Sequence, residues 1–349
     1  MPDLMTIAGI ALKTSLLIGA TGLLAIALRR QSAAFQHVLW TSSLALCVVM
    51  PLAVVLLPSH PVLTLAPTLT LPHVRGREWE GAWASATAVV LSLWLIGSAL
   101  ILTCELLSNI GLARWRRNAH PLKSARWAAT LATFDRRVRV LESPHIASPC
   151  TWGVIAPVLL LPSAGDTWSE SARRSALLHE FAHLERRDSF TALISRLACV
   201  LHWYNPLVWL AAARARTLQE RACDDAVLRA GAIPSDYAQF LLDVAACVSG
   251  VTRPSSLAIG MAHSSLRARL VAILDPQAAR SEARRTPVFA SFAALFAITM
   301  LLGMTTIARV PKAPALPPAP SLPILPVLPK LPVPPVPVVP PTLPVSPRP

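Results

Sequence analysis

Charge is scarce in this sequence. Asp, Glu, Lys and Arg make up 14% of its 349 residues while 54% are hydrophobic; an ordinary soluble chain carries about 25% charged residues. The shortfall argues against a wholly water-exposed globule and for burial in lipid. Acids are the scarcer sign: 18 Asp and Glu face 32 Lys and Arg, a net charge of +14. That surplus would suit a nucleic acid, but no aromatic-interleaved basic motif or zinc-finger spacing accompanies it, so no direct nucleic-acid partner is expected. No Cys-x-x-Cys pair exists among the six cysteines. Each cysteine falls in or at the end of an apolar run or in the segment read below as cytosolic, which speaks against a disulfide framework. They read as buried thiols.

What is abundant is apolar sequence in long runs. Four segments, 4–28, 35–57, 83–103 and 288–307, approach or exceed the roughly 20 helical residues that cross a hydrocarbon core. The first is too long for a cleaved signal peptide and lacks a cleavage site. It contains Lys13, which is expected to snorkel to the interface in preference to marking a polar site inside a bundle. Basic residues set the orientation. Arg29 and Arg30 follow the first run, and residues 112–287 hold 23 of the 32 basic residues with 14 acids. Excess Lys and Arg stay cytoplasmic, so both termini face outward and the 112–287 segment faces the cytosol.

Within that segment, strand-like runs at 138–141 and 154–161 flank a turn-rich patch. Thr167-Trp168-Ser169-Glu170 has the form of a capping box ahead of a helix through Glu185. Further helices are expected over 191–201, 207–229, 236–248 and 265–274. From Pro311 the chain changes character, with a proline at every third position from Pro314 to Pro335. Polyproline II has three residues per turn, so this tail is an extended rod without a globular core. The fold class is therefore mainly α and multi-pass. Residues 1–111 are a membrane domain, 112–287 a cytosolic α+β domain, 288–307 a fourth span, and 308–349 a proline-rich extracytoplasmic tail.

The chemistry concentrates at His179-Glu180-Phe181-Ala182-His183. Two histidines four apart share one helix face, so both rings can reach one Zn²⁺ at about 2.0–2.1 Å, and Glu180 can act as general base. With nine His and nine Glu, chance would supply only ~0.006 such matches. A third ligand is needed, and Glu220 is the candidate; Asp224, one turn on, can accept a ligand histidine's free N–H. The alternative for Glu220 is an exposed acid paired with Arg216 or Arg221. Cys223 and His202 are expected to be structural. Asp188 either orients a ligand histidine or pairs with Arg187. Residues 152–161 are expected to offer an edge strand to substrate backbone.

The stretch 177–188 resembles the BlaR1/MecR1-type membrane zinc metallopeptidases, the M56 family. So do His202-Trp203-Tyr204-Asn205-Pro206, Glu220-Arg221-Ala222-Cys223-Asp224-Asp225 and Asp236-Tyr237-Ala238-Gln239-Phe240, in that order. The likeness covers roughly residues 1–310. It implies four transmembrane helices around a zincin-like cytosolic domain, Zn²⁺ held by His179, His183 and Glu220, Glu180 as the catalytic base and Asp224 in support. A related Glu-x-x-x-Asp pair occurs in Ste24/HtpX-type peptidases, but the Trp-Tyr-Asn-Pro and Cys-Asp-Asp blocks favour the first family. Two departures stand out. The tail replaces the penicillin-binding sensor and has no Ser-x-x-Lys, and Arg267 and Arg269 occupy a region where the family leads one to expect an acid.

The resemblance implies an endopeptidase of the bacterial inner membrane that transmits an outside signal by cleaving a cytosolic protein. A transcriptional repressor is the first substrate class, and self-cleavage, homo-oligomers and an envelope partner for the tail stay open. The alternative is a non-enzymatic membrane scaffold with a TonB-like proline-rich tail. A cysteine introduced at Ser281 is predicted to stay shielded from an impermeant reagent added outside the cell; labelling there would overturn the charge argument.

Overall fold

A computed structural model describes residues 4–57, 60–65, 76–134, 138–251, 266–282 and 285–309. The polyproline reading of the tail lies outside the described residues. In chain order the elements begin with helices α1 (Leu4–Ala27) and α2 (Ala33–Leu56), strand β1 (His60–Leu65) and helix α3 (Gly76–Arg117). Next come β2 (His120–Pro121), α4 (Ala125–Ala132), β3 (Arg139–Ser143), β4 (Cys150–Trp152) and β5 (Val158–Pro162). Helices α5 (Glu170–Glu185), α6 (Asp188–Leu201), α7 (Pro206–Arg229) and α8 (Pro234–Val251) follow. The described residues close with α9 (266–274), α10 (Arg285–Gly303) and β6 (Thr305–Arg309).

Among the described residues, four helices are long and apolar enough to cross a membrane, over Thr6–Ala27, Ala33–Leu56, Ser85–Gly111 and Thr286–Gly303. The expected spans differ from them in three ways. The third lies inside a 42-residue helix that runs on to Arg117. The basic stretch that follows the span is divided between α3 and α4, with Pro121 in the strand between them. The fourth helix stops at Gly303, because the β-branched pair Thr305-Thr306 opens a strand pairing in parallel with β1. Lys13 does not snorkel: its side chain is buried and its Nζ donates to the carbonyl of Thr305 at 2.6 Å, beyond the C-terminus of α10.

The bundle core draws on more than these helices. Leu17, Leu39, Leu44, Met50 and Leu295 pack with Ala198 and Cys199 of α6 and with Val208, Ala211 and Ala215 of α7. On α7 the buried positions Val208, Ala211, Ala215, Leu218 and Ala222 recur every three or four residues, which puts one small-residue stripe against α2 and lets the two helices approach closely. Among the described residues, those before 112 and those that follow to Arg309 belong to one compact unit.

A four-stranded sheet of order β2-β3-β5-β4 lies beside the helices, with β3–β5 parallel and the two outer pairings antiparallel. Alternation along β5 sends Leu159 and Leu161 to a core with Trp127, Leu177 and Phe181, and Val158 and Leu160 to one with Leu141 and Ile146. The expected edge strand over 152–161 is not one strand. Gly153, at φ +111°, turns the chain where a Cβ would lie 2.7 Å from the Ala156 carbonyl. The edge is β4, and β5 is internal.

Candidate metal centre

Helix α5 starts two residues later than the expected capping box. Thr167 closes a short 3₁₀ turn, and Ser169 is the N-cap, its Oγ accepting from the Ala172 N–H at 3.1 Å. Leu177 and Phe181 then dock on Leu159 and Leu161 of the sheet. That contact turns His179 and His183 together toward α7. Their Nε2 atoms stand 3.2 Å apart. Glu220 completes the group, with Oε2 at 3.5 Å from His179 Nε2 and Oε1 at 3.9 Å from His183 Nε2. Ligands on a tetrahedral Zn²⁺ with bonds of about 2.0–2.1 Å stand about 3.3–3.4 Å from one another. The three donors fit such an ion.

The outward nitrogens of both rings are also engaged. His183 Nδ1 lies 2.8 Å from Asp188 Oδ2, which as acceptor fixes the tautomer with Nε2 free. Asp188 pairs with Arg186 and not with Arg187, which sits in the left-handed turn joining α5 to α6. His179 Nδ1 is 3.3 Å from Asp224 Oδ1 and 3.1 Å from the Tyr237 hydroxyl, and that hydroxyl donates to Asp224 at 2.8 Å. Arg269 closes the group. It grips both oxygens of Asp224 at 2.8 and 2.7 Å and stands 3.3 Å from Glu220 Oε2. Glu220 therefore pairs with Arg269, not with Arg216 or Arg221.

The electrostatics favour a cation here. Burial opposes charge on His179, but hydrogen bonds to Asp224 and Glu220 outweigh it and hold the imidazole up at about 10. Burial also opposes ionisation of Glu220, yet His179 and Arg269 hold its carboxyl down at about 2. The same contest, won by Arg269 and His179, holds Asp224 below the usual carboxylate range. Without a metal, a proton on His179 supplies the positive charge that these carboxylates attract.

Glu180 faces the sheet edge. Thr151 of β4 donates its hydroxyl to Glu180 Oε2 at 2.8 Å, which leaves the other carboxylate oxygen for a second partner. Cys223 sits 3.3 Å from His183 Nδ1 and 3.5 Å from Asp188, and burial pushes its thiol well up. It is a packed, neutral thiol. His202 is buried against the Cys47 carbonyl, 19 residues beyond His183 in the chain, and takes no part in the group. Three participants were not read from the sequence: Thr151, Tyr237 and Arg269. For Arg269 a signal existed, a basic residue where the family pattern leads one to expect an acid.

Comparison with known proteins identifies the family. The model of the BlaR1 peptidase M56 family matches residues 5–273. The regulatory protein BlaR1 of Bacillus licheniformis is 32% identical over 144 residues, which is 40% of this chain and 24% of that relative. The chain thus matches about a quarter of the length of that relative. With the family match running through every helix that bears on the site, the chain belongs to the BlaR1 peptidase M56 family.

Proposed function

We propose that this protein is a zinc-dependent endopeptidase of the bacterial inner membrane, with both termini outside and its catalytic centre on the cytosolic side. The observation that carries the reading is the convergence of His179, His183 and Glu220 beside an independently held Glu180. In it, His179, His183 and Glu220 hold the ion, while Asp224 and Asp188 orient the two rings. A bound Zn²⁺ supplies Lewis acidity toward the scissile carbonyl and acidifies a water.

The protein's own groups do the rest. Glu180 accepts a proton from the attacking water as its oxygen bonds to the carbonyl carbon, then delivers that proton to the amine nitrogen as the C–N bond breaks. Thr151 holds the carboxylate for both transfers. Among the described residues β4 is an outer strand of the sheet, and substrate backbone would add beside it as a further strand. Because Thr151 lies on β4, such a strand runs past Glu180. Edge-strand recognition reads backbone first, which suits a protein substrate in extended form.

The family and the BlaR1 likeness support a regulatory role; the substrate class that we propose is a cytosolic protein, a transcriptional repressor being the first to test. Glu180→Gln should keep its metal and lose proteolysis, measured on purified protein with a panel of extended substrates; cleavage at the unmodified rate would reject Glu180 as the base. Glu220→Ala should lose metal affinity more than Asp224→Ala, which is expected to fall by about 10–100-fold. Metal titration decides this, and an unchanged affinity in Glu220→Ala would remove that residue from the ion.

A further inference from the structure

The turn between α6 and α7 makes contacts that a purely cytosolic domain would not. Its residues meet the middles of three membrane helices. Asn205 Nδ2 donates to Ser15 Oγ of α1 at 3.0 Å, and His202 Nε2 lies 3.0 Å from the Cys47 carbonyl of α2. Trp94 and Ser98 of α3 donate to the Leu201 and Val200 carbonyls at 2.9 and 3.1 Å. Ser15 is 12 residues from Ala27, the end of its span that the proposed topology puts on the cytosolic side, and Cys47 is 14 from Ala33. At 1.5 Å per residue both lie on the order of 20 Å in, past the middle of a core about 30 Å thick.

We infer that α6 and the first half of α7 form a re-entrant hairpin that enters the bilayer from the cytosolic side, with its outer face on lipid acyl chains. Composition agrees. From Ser189 to Ala213 the sequence carries a single charged residue, Arg196. Arg196 pairs with Glu105 at 3.4 Å, near the cytosolic end of the α3 span. The face turned away from the bundle presents Phe190, Leu193, Leu197, Leu207, Trp209 and Leu210, between 37% and 64% exposed. These continue the lipid-type surface of α3, where Leu95 and Ile96 are 60% and 65% exposed. Lipid is the occupant because the hairpin is tied to the spans themselves at mid-depth.

A helix break in hydrocarbon must have its backbone groups satisfied by protein. That condition is met at this turn. The last carbonyls of α6 accept from Trp94 and Ser98, the Trp203 carbonyl accepts from Trp209 Nε1, and Asn205 Oδ1 caps α7 at the Leu207 N–H. Gly97 leaves room for the Trp203 ring, which a Cβ would meet at 2.3 Å. Returning toward the cytosol, α7 passes His37 of α2 at Ala215, whose carbonyl is 3.0 Å from His37 Nδ1, and reaches Glu220 about one turn later. The cluster of His179, His183 and Glu220 thereby stands at the cytosolic membrane surface.

The test is nitroxide accessibility in the full-length protein in lipid vesicles, with exposed Cys104 and Cys247 replaced by serine. Labels go at Phe190, Leu193, Leu197 and Leu210, with Ile96 on α3 as the membrane standard and Ile155, 99% exposed, as the water standard. Oxygen should outcompete a water-soluble nickel complex at Leu197 and Leu210 as it does at Ile96, and depth should increase from Phe190 to Leu197. Nickel accessibility at Leu197 and Leu210 equal to that at Ile155, with Ile96 still in lipid, overturns the proposal. Low collision with both reagents at those positions also overturns it, by assigning the face to a second copy of the chain. Water-like behaviour at Ile96 as well would reject the membrane spans together with the hairpin. None of these outcomes depends on the metal or on peptidase activity.

Discussion

The packing of α7 along α2 is the constraint on which the rest depends. One stripe of α7, from Val208 to Ala222, lies in contact with the membrane bundle. Another face of the same helix delivers Glu220 and Asp224 to the histidines. The positions of the carboxylates are thus set by helix-to-helix contact within the bundle, and those of the histidines by the docking of α5 on the sheet. The two meet with little freedom left, because protein interiors pack too densely to let a helix slide.

Buried charge is handled by full pairing at that meeting point. Asp224 is 2% exposed and would be costly alone, but Arg269, Tyr237 and His179 together satisfy it. Asp188, also 2% exposed, is satisfied by His183 and Arg186. Each ring of the pair is oriented by a carboxylate reaching it from a different helix. This arrangement holds both Nε2 atoms inward without asking either histidine to provide its own rigidity.

Local periodicity made part of this legible in the sequence. The four-residue spacings His179 to His183 and Glu220 to Asp224 place side chains on one helix face whatever the tertiary fold, and the long apolar runs predict spans on length alone. Contacts distant in sequence were not legible. Thr151 meets Glu180 only because β4 is the sheet edge, and Arg269 meets Asp224 across 45 residues. The α6–α7 hairpin escaped because Asn205-Pro206 divides its apolar run into pieces too short to span. Nothing in the sequence near Lys13 points to its partner, because the Thr305 carbonyl is 292 residues away.

The central claim is that His179, His183 and Glu220 form a zinc site. It is tested most directly by elemental analysis of the full chain purified in detergent, beside His179→Ala and His183→Ala purified in parallel. The account predicts about one zinc per chain in the unmodified protein and close to none in either variant, since two remaining ligands rarely retain the ion. Equal zinc in all three would contradict it.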